Sequence, residues 1–183
     1  MNITEPEFTL LGDALWLDFV NTARGRGSAP IDLLPDQDAL LRWSAAQSID
    51  LNGGPPPLSL AMKLRERLTA LAEALDAGLQ PPPASIIAIN EQLAQAGGCH
   101  QLTRVSGEWQ LRFAPEHRWG VLQAIAQSAA ASLADSLRIV RRCAGEGCSL
   151  FFSDDSPNQS RRWCSVATCG GQVTVERRRG LLR

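Results

Sequence analysis

Four cysteines near the C-terminal end constrain the fold of this 183-residue chain more than any other feature. They form two close pairs, each enclosing four residues, with fifteen residues between the pairs: Cys143, Cys148, Cys164 and Cys169. Four thiolates arranged in this way can complete a tetrahedral shell around Zn²⁺. Glycines inside the first pair and directly after the last cysteine favour the tight turns that such a shell needs. The pattern predicts one zinc ion, with an iron–sulfur cluster or a disulfide pair as the alternatives.

A closed shell of four cysteines leaves no coordination position for water or substrate, so the predicted zinc is structural. In so short a segment the metal would supply much of the folding free energy, on the order of 10 kcal/mol. Phe151, Phe152 and Trp163 are predicted to form a small apolar cluster beside the metal, although such rings could instead stack on nucleic-acid bases. The fifth cysteine, Cys99, is predicted to be a small buried residue.

Charge divides the chain close to the same place. Residues 1–137 hold nine basic and fifteen acidic residues, a net charge of −6, whereas residues 138–183 hold nine arginines and four acidic residues, a net charge of +5. The two values sum to the net charge of −1 for the whole chain. We therefore expect a larger domain over residues 1–137 and a zinc-finger domain over residues 138–183.

Arginines flank the cysteines on every side: Arg141, Arg142, Arg161, Arg162, Arg177, Arg178 and Arg179. The planar guanidinium group suits phosphate because it donates two parallel hydrogen bonds. The pattern indicates a nucleic-acid-binding surface. A solvated basic face, or a patch that docks on the acidic first domain, is the alternative.

Hydrophobic periodicity predicts an α+β fold that is mostly α, with a helical first domain and one small β-hairpin. A long helix is expected to connect this domain to the zinc finger and to span about 40 Å. An alanine-rich stripe on it permits close packing, either within the fold or across a homodimer. The predicted helices cover about 12–24, 36–46 (capped by Asp36 or Asp38), 59–77 (ending at Gly78), 84–96 and 116–142, and the hairpin strands are His100–Val105 and Trp109–Phe113.

Asp18, Asn21 and Arg24 interrupt the first apolar helix at three-residue spacing, so they share one face. One interpretation is a pocket in which these residues orient a small-molecule effector. The other is that the carboxylate and the amide hydrogen-bond backbone groups and determine how the loops pack.

The sequence favours neither an enzyme nor a membrane protein. It lacks the common nucleotide-binding, metalloprotease and hydrolase motifs, and its two histidines are isolated in the sequence. No run of about 18 apolar residues is present, and the first residues lack the basic start of a secretory signal. We expect a cytoplasmic protein.

The C-terminal segment resembles the CGNR-type zinc finger, a module of bacterial proteins regarded as transcriptional regulators. The resemblance rests on Arg141-Arg142-Cys143, Cys148-x-x-Phe151, Asp154-x-Ser156, Arg161-Arg162-Trp163-Cys164-Ser165 and Cys169-Gly170. The first domain resembles the ABATE domain through Leu17-Asp18-Phe19-Val20-Asn21-Thr22 and Asp32-Leu33-Leu34. Together the resemblances imply a regulator that binds DNA through the finger and uses the first domain for ligand sensing or assembly. RNA binding and a protein-interaction role are the alternatives.

One position pair departs from the family pattern. The chain reads Cys169-Gly170-Gly171-Gln172 where the family name describes Cys-Gly-Asn-Arg. Gln172 can hydrogen-bond a base edge but carries no charge, so this chain lacks one cation that relatives could place on nucleic acid.

Overall fold

The computed structural model describes residues 7–25, 31–49, 54–95, 97–115, 120–135 and 137–170. Helices dominate an α+β architecture, as the periodicity predicts, and the strands form three separate two-stranded antiparallel sheets, β1–β2, β3–β4 and β5–β6. In chain order the elements are α1 (Leu15–Val20), β1 (Ala23–Arg24), β2 (Ile31–Asp32), α2 (Gln37–Ala46), α3 (Leu58–Asp76), α4 (Pro83–Ala94), β3 (Gly98–Val105), β4 (Glu108–Pro115), α5 (Val121–Ala134), β5 (Ile139–Arg142), β6 (Phe151–Asp154) and a π-helical turn (Val166–Gly170).

The main core forms around α1, which packs against both α3 and α5. Its sequence, LWLDFV, is apolar on nearly every side, and a helix of that kind must be surrounded by other elements. Trp16 and Phe19 are fully buried there. The Phe19 ring lies tilted against Trp43 of α2 with centroids 5.2 Å apart, a favourable geometry for an aromatic pair.

The helix ends of α2 and α3 follow the local sequence. The side chain of Asp36 accepts a hydrogen bond from the N–H of Ala39 at 2.8 Å, so the predicted cap of α2 is confirmed. Gly78, just beyond α3, has a φ of +68°, a left-handed conformation that glycine adopts without strain. Local capping chemistry therefore explains where α2 begins and where α3 ends.

The first helix is shorter than predicted. The apolar pattern predicts a helix over about 12–24, but α1 ends at Val20 and the chain then becomes extended in β1. The carbonyl of Thr22 accepts a hydrogen bond from the N–H of Leu33 at 2.9 Å, next to the β1–β2 pairing. A neighbouring extended segment thus supplies the hydrogen-bond partners that a longer helix would have supplied.

The predicted long connecting helix over 116–142 is wrong. The helix α5 ends at Ala134, and the side chain of Asp135 accepts the N–H of Leu137 in a turn. Leu137, expected to face inward, is 73% exposed, whereas Val140 is buried within strand β5. The two β-branched residues at the start of β5 favour a strand, and β6 supplies the hydrogen-bond partner. The apolar spacing by itself fits either a helix or a strand.

The predicted hairpin is confirmed as β3–β4 and is longer than expected, with eight residues in each strand. Its apolar residues lie in the open. Leu102 and Leu111 are cross-strand partners and are 62% and 68% exposed, and Trp109 on the same face is 65% exposed. The prediction that Cys99 is buried is wrong, because this hairpin has few contacts with the rest of the described chain.

None of the helices in the described part of the chain is both long enough and apolar enough to cross a membrane.

Candidate metal centre

Four thiols converge at one end of the β5–β6 sheet. Cys143 directly follows β5, and its N–H donates to the carbonyl of Leu150 at 2.8 Å, which extends the ladder between the strands. Cys148 follows the turn between the strands, Cys164 lies in the loop after β6, and Cys169 lies in the π-helical turn. The four sulfur atoms all lie within 4.8 Å of one another. The cysteines predicted to be metal ligands are therefore brought together.

The distances between these sulfur atoms match a zinc tetrathiolate. The Sγ atoms of Cys148 and Cys164 are 3.9 Å apart, and those of Cys164 and Cys169 are 3.7 Å apart. Zn–S bonds of about 2.3 Å in a tetrahedron place sulfur atoms about 3.8 Å apart, whereas a disulfide requires about 2.05 Å. All four cysteines are free, so the disulfide alternative does not hold. The donor set fits a single structural zinc ion, which agrees with the predicted cofactor.

Backbone groups prepare Cys143 to carry a negative charge. Its Sγ accepts hydrogen bonds from the N–H of Gly145 at 3.4 Å and the N–H of Cys164 at 3.3 Å. Burial opposes ionisation, but these bonds hold the pKa of Cys143 below its ordinary value. A Cβ atom at position 145 would lie only 2.8 Å from the Cβ of Cys169, so glycine is required where the two ligand turns meet.

Cys148 and Cys164 resist ionisation unless a cation is bound. Burial, and to a smaller extent the neighbouring Cys143, raise the pKa of Cys148 to about 11. Burial and the crowded sulfur atoms also raise the pKa of Cys164. Metal binding must therefore displace protons from these groups, which makes zinc affinity depend on pH.

Asp154 holds the loop that carries the third ligand, a role that the sequence analysis did not predict. It is fully buried at the end of β6. Its Oδ1 accepts hydrogen bonds from the backbone N–H and the hydroxyl of Ser156. Its Oδ2 accepts hydrogen bonds from the Nε–H of Arg141 at 2.9 Å and the backbone N–H of Arg161 at 3.1 Å. Burial disfavours its charge, but these donors keep the pKa of Asp154 below its ordinary value. The Asp-x-Ser spacing is the sequence signal for this turn.

Two of the arginines predicted to bind nucleic acid are occupied within the finger. Besides its pair with Asp154, Arg141 donates to the carbonyl of Gln159. Arg161 donates to the carbonyls of Trp163 and Cys164, pairs with Asp13 of the first domain, and lies over the Phe152 ring at 4.6 Å. These guanidinium groups order the ligand loop.

A third arginine attaches the finger to the acidic first domain. The N–H of Arg142 donates to Asp76 at 2.7 Å, and its guanidinium contacts Glu73 at 3.3 Å, both near the end of α3. The guanidinium also lies 4.2 Å from the centroid of the Phe151 ring. This contact is the internal docking that the charge asymmetry offered as an alternative to nucleic-acid binding.

Arg162 differs from the other three arginines. It is exposed, its guanidinium lies 5.5 Å from the Trp163 ring, and it forms no ion pair with a described carboxylate. It directly precedes Trp163 and Cys164, so the metal loop determines its position. The three remaining predicted arginines, Arg177, Arg178 and Arg179, lie outside the described residues, as do Gly171 and Gln172.

The three aromatic residues expected beside the metal divide between two clusters. Phe152 and Trp163 pack with Cys143 and Cys164, as predicted. Phe151 instead joins the main core together with Val140, because successive strand residues point to opposite sides of a sheet. The prediction for Phe151 is wrong, and the β5–β6 sheet forms part of both cores.

The polar residues of α1 contact protein groups in the structure. The amide of Asn21 donates to the carbonyl of Phe151 and accepts its N–H, both at 2.8 Å. Asp18 accepts the N–H of Gly12 at 2.8 Å and the side-chain amide of Gln47 at 3.3 Å. Burial raises the pKa of Asp18 in spite of these donors. These are the contacts expected of residues that determine packing.

Two family models match consecutive parts of the chain. Residues 13–136 match the model of the ABATE family, described as "Putative stress-induced transcription regulator". Residues 139–180 match the model of the CGNR zinc finger. No curated protein matches the chain.

Proposed function

Since the chain belongs to the ABATE family and carries a CGNR zinc finger after the family's domain, we propose that it is a transcriptional regulator whose finger binds nucleic acid, with duplex DNA as the favoured target. The structural zinc would contribute by ordering the finger. We propose no enzymatic role, because a closed shell of four thiolates offers no position for a reacting molecule.

The observation that carries the proposal is the exposed guanidinium of Arg162 beside the metal loop. The N–H of Ala144, next to the ligand Cys143, donates to the carbonyl of Arg162 at 2.8 Å, which holds the backbone of Arg162 beside the metal site. Arg162 is therefore a cation held in place at the surface, as a phosphate contact requires. Arg177, Arg178 and Arg179 follow in the sequence and add positive charge to the same module.

The occupied arginines support a different role from the one first expected. Arg141, Arg142 and Arg161 are assigned to positioning, because each already contacts a carboxylate. In this proposal Arg142 and Arg161 hold the finger on the first domain and Arg141 orders the ligand loop. Arg162 together with the later arginines contacts the nucleic acid.

The first domain is proposed to sense an effector or to mediate assembly. Asp18 and Asn21 have protein partners, so another site is better placed for a ligand. A cavity of about 250 Å³ lies where α5, α3 and β5 meet. Leu133 and Val140 supply apolar walls, and Asp135 and Arg138 supply charge. An effector bound there would contact the first domain and the strand that leads into the metal centre.

The test is a fluorescence anisotropy titration of the zinc-loaded chain with random duplex DNA and with single-stranded RNA, at low and moderate salt. We expect binding that weakens steeply with salt, because each phosphate contact releases counterions. Arg162→Ala should weaken duplex binding by roughly threefold to tenfold, about 1 kcal/mol, and should reduce the salt slope by about 0.9.

The matched control is Arg112→Ala, which removes another exposed arginine, from β4, about 50 residues before Arg162 in the sequence. It should leave binding unchanged, whereas a triple alanine variant of Arg177, Arg178 and Arg179 should weaken it. Zinc content and thermal unfolding are measured for every variant. If the zinc-loaded chain binds neither polymer at low salt, the nucleic-acid proposal is wrong, and a protein-interaction or purely structural role for the finger is favoured instead.

A further inference from the structure

Arg24 belongs to the first domain, but the β1 segment that carries it lies beside the chain that leaves the first ligand pair. The next residue, Gly25, donates its N–H to the hydroxyl of Ser149 at 3.0 Å, and Ser149 directly follows Cys148. Three residues before Arg24, the side chain of Asn21 is hydrogen-bonded to the backbone of Phe151. The β1 segment is therefore held alongside the chain that leaves the first ligand pair.

The side chain of Arg24 is oriented by a neutral group. Its Nε donates to the carbonyl of Asn21 at 3.3 Å, and no described carboxylate forms an ion pair with it. Burial lowers the pKa of the half-buried guanidinium, while the negative charges of Cys148 and Cys164 raise it. Arg24 thus differs from Arg141, Arg142 and Arg161, whose charges are balanced by aspartate or glutamate.

A zinc tetrathiolate needs such a cation. Four thiolates and one Zn²⁺ carry a net charge of −2, and in this chain two of the four ligands are fully buried. A charge that is partly removed from water is costly unless an opposite charge lies nearby. Groups outside the ligand shell commonly change metal affinity tenfold to a hundredfold when they are substituted.

We propose that Arg24 is the charge partner of the zinc tetrathiolate, so that the first domain contributes directly to zinc retention. Its positive charge stabilises the thiolates and lowers their reactivity toward electrophiles. The finger is then incomplete without the β1 segment, and any movement of β1 away from Ser149 weakens the hold on the metal.

The test uses the full zinc-loaded chain with Arg24→Gln, Arg24→Lys and the surface control Arg112→Gln. Zinc release during alkylation by N-ethylmaleimide is followed with a zinc-sensitive dye, and affinity is measured by competition with a chelator. Arg24→Gln should release zinc several times faster and bind it about tenfold more weakly. Arg24→Lys should recover most of the difference, and Arg112→Gln should match the unsubstituted chain.

A second variant keeps the test informative if Arg24→Gln does not fold. Ser149→Ala preserves every charge and removes the bond that holds β1 beside Cys148, so zinc release should accelerate, but less than in Arg24→Gln. Thermal unfolding identifies the variants that remain folded. Equal release rates for Arg24→Gln and Arg112→Gln would overturn the proposal. Equal impairment of Arg24→Gln and Arg24→Lys would also overturn it, because packing rather than charge would then be responsible.

Discussion

The β3–β4 sheet has eight residues in each strand, whereas the β5–β6 sheet has four. The longer sheet exposes Leu102, Trp109 and Leu111 to solvent. In the shorter sheet every residue of β6 is buried, with Phe151 in the main core and Phe152 beside the metal. Both sheets are simple antiparallel pairs, so the contrast between them lies in what surrounds them.

The length of a two-stranded ladder therefore does not predict how much apolar surface its strands bury. An isolated two-stranded hairpin is marginal in water because its strands bury little apolar surface. The β5–β6 sheet is instead tied at both ends by groups outside the ladder. At one end, Asn21 hydrogen-bonds Phe151, the first residue of β6, and the four cysteines lie beside it. At the other end, Asp154 hydrogen-bonds the loop that follows β6.

The largest effect should come from breaking the metal end of the short sheet. Cys164→Ser removes a ligand at the centre of the sulfur cluster, so we expect loss of zinc and unfolding of the finger. The expected loss is on the order of 10 kcal/mol of metal-linked stability. Metal analysis and near-ultraviolet circular dichroism provide the measurement. Cys99→Ser, in the exposed sheet, should retain one zinc per chain, and a zinc-replete Cys164→Ser variant would refute the assignment.

The next largest effect concerns the two hydrogen bonds between Asn21, directly after α1, and the backbone of Phe151 in β6. Asn21→Ala leaves the N–H and the carbonyl of Phe151 buried without partners, and each lost partner costs about 1–3 kcal/mol. We expect a decrease of about 2–5 kcal/mol in the free energy of unfolding by urea. Asn90→Ala on the exposed side of α4 is the matched control and should change it by less than about 0.5 kcal/mol. A decrease in the free energy of unfolding as small as that of Asn90→Ala would mean that the hydrogen bonds of Asn21 contribute little to stability.

A matched pair of substitutions compares the two sheets directly. Phe152→Ala removes a fully buried ring and should destabilise the protein by about 3–5 kcal/mol. Trp109→Ala removes a ring that is 65% exposed and should cost less than about 1 kcal/mol. Thermal and urea unfolding of both variants test the comparison. Similar losses would show that the apolar face of β3–β4 is covered in solution.

The smallest expected effect is on the pH dependence of the free energy of unfolding, and it arises at Asp18. This carboxylate accepts the N–H of Gly12, whose carbonyl accepts the N–H of Ser153 in β6. Burial raises the pKa of this carboxyl in the folded state. The folded chain therefore binds the proton more tightly than the unfolded chain, and this contribution to stability is lost as pH rises through the raised folded pKa. Unfolding at several pH values should show a flatter profile for Asp18→Asn. An unchanged profile would argue against a raised pKa.

Periodicity identified the helices wherever the apolar face was continuous, and it failed where both conformations suited the same residues. Val140 fits the helical spacing of α5, yet it is buried as a strand residue. Its partner residue on β6, Ser153, lies thirteen residues later in the sequence, which periodicity cannot reveal. Local signals such as the Asp36 cap and Gly78 remained informative because their chemistry involves only neighbouring residues.

The four-thiol metal centre was predictable without a structure, because four thiols in two close pairs have few uses other than enclosing a cation. The family, the helical first domain and the existence of both parts were also predictable in this way. The roles of the charged residues became apparent from the fold. The sequence does not distinguish Arg142, Arg161 and Arg162 from one another. In the fold, Arg142 contacts α3, Arg161 pairs with Asp13, and Arg162 is exposed to solvent. A guanidinium group has the same chemistry everywhere, and its function follows from which groups the fold places beside it.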